Sequence, residues 1–155
     1  TDEALLGFDS LYKVKPPLRV QSDVDALIDG LNDGTIDAIV SQHTPHEIEY
    51  KDVEFEIAEY GIIGLQTAFS LAVKAGLSVE VIVQKLAINP RNILSVDAAI
   101  IAEGQKANLV VFDVEEHWEY TKPVNLSRSA NSPFIGHNLK GKVLLTCNNK
   151  KVFKS

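Results

Sequence analysis

The feature that most constrains this chain is a change of hydrophobic rhythm near residue 100. Before it, apolar residues recur at helical spacing: Val24, Leu27, Ile28 and Leu31, then Leu65, Ala68, Phe69 and Ala72, then Val79, Ile82, Val83 and Leu86. Stripes at i, i+3 and i+4 place apolar side chains on one face of a helix, where they pack against a core. After it, apolar residues gather in short β-rich runs around Asn108–Asp113, Lys142–Cys147 and Lys151–Phe153. Helix, strand, helices and then strands alone describe an α/β part followed by a small β part.

Polar and turn-forming residues mark the boundaries. Lys15-Pro16-Pro17 breaks regular structure, because proline lacks a donor and restricts the residue before it. Ser22 is an N-cap candidate for the first helix, which Asn32-Asp33-Gly34 ends. Ile36–Val40 is a short apolar run read as a buried strand. Glu47, Glu49, Asp52, Glu54, Glu56 and Glu59 form an acidic run read as a solvated loop. Gly61–Gly64 opens the next helix, closed near Gly76; Ser78 caps another, which Pro90 ends or kinks, with one more turn over Arg91–Leu94. Asn148-Asn149 is the expected hairpin turn.

With 45% hydrophobic and 23% charged residues, the chain has ordinary globular composition. A net charge of −6 argues against nucleic-acid binding, which needs a basic face. No apolar run is long enough to span a membrane, and the acidic start Thr1-Asp2-Glu3 is unlike a signal peptide. Cys147 is the single cysteine, so no internal disulfide forms; it is read as a strand residue in a reducing, cytoplasmic setting. Methionine is absent, even at position 1, so a processed, cleaved or trimmed product is expected.

The loop Ser41–His46 directly follows the expected strand, and ligands in α/β folds bind at the C-terminal ends of parallel strands. It carries His43 and His46 around Pro45. Imidazoles there can ligate a metal or meet a substrate anion, or simply make ordinary hydrogen bonds, and both readings stay open. His117 and His137 lack acidic or histidine neighbours at ligand spacing and are read as structural. Gly61, Gly64 and Gly76 match no phosphate-binding pattern, no serine sits in a nucleophile elbow, and Cys147 has no nearby base.

Several segments resemble, in order, dihydroorotases of the type related to multifunctional pyrimidine-synthesis enzymes, within the amidohydrolase superfamily. Lys13-Val14-Lys15-Pro16-Pro17-Leu18-Arg19 is similar to K-V/M-N-P-P-L-R. Asp33–Ile39 and Ser41–His46 are similar to D-G-T-I-D-x-I and T/S-D-H-A/T-P-H. Gly61–Phe69 resembles G-I/F-x-G-L-E-T-A-F, Asn89-Pro90 an N-P pair, and Gly104–Asp113 the strand G-x-x-A-D-L-V-V-F-D. Ser132–Gly136 and Leu139–Val143 resemble the family's tail.

The resemblance implies the C-terminal portion of a (β/α)8 metal-dependent-hydrolase barrel, a TIM barrel, followed by a small β-sandwich segment. Residues 1–99 would be the last β/α units and 100–155 the closing strands of the small domain. It implies reversible cyclisation of N-carbamoyl-L-aspartate to dihydroorotate in pyrimidine biosynthesis, with one or two zinc ions. A complete barrel of this type needs about 250 residues, and the family's upstream metal ligands are not in this chain.

The resemblance also implies roles for individual residues. Gln42 stands where the family has the aspartate that ligates zinc and shuttles a proton, and an amide has no comparable basicity. Lys15 replaces the substrate-binding asparagine and Gln66 a glutamate. His46 holds the position that contacts the substrate carboxylate, and His43 a supporting one. The expectation is a dihydroorotase-like chain that is inactive by itself and holds no zinc. The alternatives are an active full-length dihydroorotase or related cyclic amidohydrolase, and a non-catalytic scaffold for aspartate carbamoyltransferase. A proteolytic remnant without activity of its own is a further reading, and the isolated chain is expected to self-associate.

Overall fold

The computed structural model describes residues 1–98 and 100–154, in two compact units. The first comprises Thr1–Ile36, Val40–Ala68 and Glu119–Asn138; the second comprises Asp37–Ile39, Phe69–Trp118 and Leu139–Ser155.

In the first unit, helix α1 spans Gln21–Asp33 and stops at Gly34, whose φ of 93° is the left-handed turn that glycine supplies. Its N-cap is Val20, which makes no side-chain capping bond, so Ser22 does not cap it. The first turn is supported instead by i, i+4 pairs, Arg19 with Asp23 at 2.7 Å and Gln21 with Asp25 at 2.7 Å. Gly30 is buried, and a Cβ built on it would lie 3.1 Å from Ile36 Cδ1, tighter than side chains ordinarily pack. The acidic stretch adopts a single 3-10 turn, Ile48–Tyr50, and otherwise irregular backbone.

Ile36–Val40 does not form a strand, and Val40 is 81% exposed. A parallel strand exists only through its neighbours. Within the second unit the segment leans on helical backbone: Ile39 donates its N–H to the Lys85 carbonyl at 3.0 Å, and Asn89 Nδ2 donates to Asp37 O at 2.8 Å.

Helix α2 (Ala68–Lys74) starts later than the sequence predicts, and the turn after it reaches Gly76 with φ 81°. Ser78 does cap α3 (Val79–Val83), its hydroxyl accepting from Val81 N at 3.3 Å. Pro90 does not end the helical run. A π-helical turn, Gln84–Ile88, precedes α4 (Asn89–Ile93) and places Pro90 in its first turn, where the missing N–H is harmless.

Strands β1 (Leu109–Tyr120), β2 (His137–Asn148) and β3 (Lys151–Lys154) form one sheet in the order β1-β2-β3. The β2–β3 pairing is antiparallel with Asn148 opposite Lys151. The hairpin turn is therefore Asn149-Lys150, one residue later than predicted, both with positive φ (47° and 66°). Trp118 anchors this unit, its indole N–H reaching Gly141 O at 3.0 Å and Ser70 Oγ at 3.2 Å.

Candidate functional site

The loop Ser41–His46 lies in the first unit against the segment Tyr60–Gly64. Thr44 N donates to Ile62 O at 2.8 Å, and Thr44 Oγ1 donates to Gln42 O at 2.8 Å. Two glycines make the approach possible. A Cβ on Gly61 (φ 110°) would fall 2.7 Å from Thr44 Cβ, and one on Gly64 would fall 3.0 Å from the Ser41 carbonyl oxygen. The resemblance gave these glycines as motif letters; the structure gives the contact that demands them.

The two histidines of the loop are held in opposite ways. His43 Nδ1 accepts from both Gly64 N and Leu65 N, at 3.2 Å each, so this nitrogen carries no proton and the neutral ring bears it on Nε2. His46 Nε2 lies 2.9 Å from Tyr60 O; a carbonyl only accepts, so Nε2 is the donor. The His46 backbone N–H donates to Asn131 Oδ1 at 3.2 Å.

Gln42 is exposed, with a φ of 43° that non-glycine residues adopt uncommonly. Lys15 is exposed as well, and among the described residues no hydrogen bond or ion pair joins it to Gln42 or His46. The structure thus brings His43 and His46 together on one braced loop and links neither to Lys15. Of the other histidines, His117 is exposed on β1, and exposed His137 meets Phe134 edge-on with ring centroids 6.2 Å apart.

Gln66 uses both ends of its amide: Nε2 donates to Val124 O at 2.8 Å and Oε1 accepts from Leu126 N at 2.9 Å. A glutamate would keep the second bond and lose the first. His43, Ile63, Leu65, Gln66, Tyr120 and Leu126 line much of a cavity of about 260 Å³. Burial pushes the Tyr120 phenol above its ordinary pKa, and its O–H donates to Asn125 Oδ1 at 3.0 Å.

Sequence reasoning missed two buried lysines. Lys51 is 1% exposed and Lys13 8%. Lys51 Nζ donates to Glu59 O at 2.8 Å and Lys13 O at 3.4 Å; Lys13 Nζ donates to Glu56 O at 2.8 Å and lies 4.7 Å from the centre of the Tyr60 ring. Burial, reinforced by the charge of Lys13, holds the Lys51 pKa below the usual lysine value, and Asp9 and Glu59 oppose the shift. Glu56 and Glu59 thus serve here through main-chain carbonyls, which no charge pattern reveals.

Zinc sites need several nitrogen, sulfur or carboxylate donors converging on one point. Among the described residues no cluster of three or more His, Cys, Asp or Glu is placed to do this. At the loop itself Gln42 offers an amide, and the His43 Nδ1 lone pair is already taken by two N–H groups. These residues do not fit a zinc centre.

The profile of the amidohydrolase family matches residues 12–147, and the chain belongs to that family. Its relatives include the dihydroorotase of Caldicellulosiruptor saccharolyticus, 43% identical over 99% of this chain and 37% of the relative. Among solved structures it is similar to an L-hydantoinase (dihydropyrimidinase) from Arthrobacter aurescens, with a TM-score of 0.81 and 22% identity over 100% of this chain and 37% of that one. It is also similar to the inactive dihydroorotase-like domain of a Chaetomium thermophilum CAD-like multifunctional protein, with a TM-score of 0.58 and 21% identity over 94% of this chain and 41% of that one. The chain thus spans about 37% of the length of the first of these relatives. No helix among the described residues is long and apolar enough to cross a membrane.

Proposed function

We propose that the chain is the C-terminal part of a dihydroorotase-family protein of pyrimidine biosynthesis. Residues 1–99 are the last β/α units of its (β/α)8 barrel, and 100–155 the closing strands of its small β domain. The parent's ligands are carbamoyl aspartate and dihydroorotate, with His46 and Lys15 as the residues that meet substrate carboxylates, in a cytoplasmic setting. The chain by itself is inactive. One observation carries this: position 42, read as the family's aspartate, holds an amide, and the loop around it presents no zinc-ligand set. Without a basic group or a metal, no water is converted to hydroxide.

The test compares residues 1–155 with the intact polypeptide, each with added zinc, in both directions of the reaction. The expected result is no turnover and no stoichiometric zinc for residues 1–155. Ring closure by residues 1–155, or tight zinc held beside Gln42, refutes the reading. Activity of the intact polypeptide would favour the active-enzyme alternative, with metal ligands supplied from outside residues 1–155.

A second reading, a scaffold that packs on aspartate carbamoyltransferase or on itself, is supported by large apolar side chains in the open. Leu6 is 81% exposed and Leu126 85%. Apolar side chains left in the open are ones that a partner surface could cover. Co-sedimentation of the intact polypeptide with the carbamoyltransferase tests it, and two independent peaks reject it.

A further inference from the structure

We infer that Asn131 is the positioning residue for the His46 imidazole. Asn131 lies 85 residues from His46 in sequence and is 2% exposed. Its side chain uses both amide N–H donors and one of the two oxygen lone pairs. Oδ1 accepts the His46 N–H at 3.2 Å, and Nδ2 donates to Thr44 O at 2.9 Å and Gly61 O at 3.3 Å. Its main-chain carbonyl accepts Ile63 N–H at 3.1 Å.

These bonds connect the two ends of the His46 geometry. The ring is attached to backbone whose N–H Asn131 holds, and the ring's own acceptor is the carbonyl of Tyr60, immediately before Gly61, whose carbonyl Asn131 also holds. One side chain thus bonds both to the His46 main chain and to the residue that follows Tyr60. Aspartate presents oxygen to two carbonyls, serine has one donor, and leucine has none. Buried at this depth, each bond left unmade carries a desolvation penalty that pushes the loop to move.

This inference goes beyond the proposed function and needs no turnover, so the two fail separately. The experiment uses the intact polypeptide labelled with ¹⁵N histidine, read by two-bond ¹H–¹⁵N correlation. In the unmodified protein His46 should show the pattern of a ring protonated at Nε2. Asn131→Ala should collapse that pattern into a mixture of tautomers while the patterns of His117 and His137 stay put. A folded Asn131→Ala protein in which His46 keeps its pattern overturns the inference. Amide exchange in the unmodified protein gives a second arm that requires no variant. The N–H groups of His46 and Ile63 should exchange about ten-fold more slowly than that of exposed Glu47, the factor equivalent to about 1.4 kcal/mol. Equal rates at these positions reject the role whether or not the variant folds.

Discussion

Replacing Gly61 by alanine tests the geometry of the two-histidine loop most directly. The perturbation has two parts. First, the backbone φ of 110° lies outside the range that L residues tolerate, and holding alanine there costs about 1–3 kcal/mol. Second, the new methyl group would sit 2.7 Å from Thr44 Cβ and 2.9 Å from its Cγ2. Carbon atoms normally rest about 3.5–4.0 Å apart, so one partner must move by about 1 Å. Thr44 is poorly placed to retreat, because its N–H, carbonyl and hydroxyl are bonded to Ile62, Asn131 and Gln42 respectively. Overpacking of this kind costs about 1–3 kcal/mol. Gly61→Ala should therefore destabilise the intact polypeptide by about 2–6 kcal/mol, measured by urea denaturation. A Thr44→Gly change removes the atoms in conflict and leaves the backbone strain. The double variant should recover the overpacking share, giving a coupling energy of about 1–3 kcal/mol in a double-mutant cycle. A Gly61→Ala protein within about 0.5 kcal/mol of its parent, the scatter of an indifferent surface change, would refute the reasoning. A coupling near zero would remove the steric half alone.

Three further outcomes follow from the same structure. Gln66→Glu keeps the bond from Leu126 N but sets a carboxylate oxygen against Val124 O, so stability at neutral pH should fall by about 1 kcal/mol; equal or greater stability by denaturant titration would contradict the two-pronged tie. Lys51 has a folded-state pKa below the ordinary 10.5, so the unfolded chain binds more protons in the window between the two values, and this residue makes stability rise with pH there. Below that window Lys51 is charged in both states and adds no slope. Lys51→Met should flatten the rise relative to the parent on the alkaline side, and unchanged slopes would show that Lys51 titrates normally. Trp118→Phe deletes a donor shared by Gly141 O and Ser70 Oγ and should cost about 1 kcal/mol in thermal unfolding; the absence of any loss would mean the indole bonds contribute nothing net.

Local signals were the legible ones. The stop of α1 at Gly34, the Ser78 cap and the three β runs all follow from neighbours a few residues apart, and the order of motifs led directly to the amidohydrolase family. What the sequence hid is nonlocal. Ile36–Val40 has the composition of a buried strand, but strand formation belongs to a sheet, and here Ile39 bonds to helical backbone at Lys85 instead. The acidic stretch reads as a solvated face because charge patterns report side chains, whereas Lys51 and Lys13 are satisfied by its carbonyls. Asn131 carried no signal beyond its place before Ser132-Pro133-Phe134, since its partners lie at Thr44, His46 and Gly61.

The tautomers of the loop limit what its histidines can do. In the neutral state His46 spends its single ring proton on Tyr60 O, which leaves Nδ1 as a lone pair. A lone pair repels a carboxylate. For His46 to grip a substrate anion, the ring must either take up a second proton at Nδ1 or rotate away from Tyr60 and redirect Nε2–H. His43 is constrained differently: a second proton at Nδ1 would displace the two N–H donors of Gly64 and Leu65, so its available donor is Nε2–H alone. The two routes for His46 are separable by calorimetry of dicarboxylate binding in buffers of different ionisation enthalpy. Heats that scale with the buffer mean proton uptake, and buffer-independent heats with loss of the Nε2–H signal mean rotation. Buffer-independent heats with that signal retained would exclude both routes.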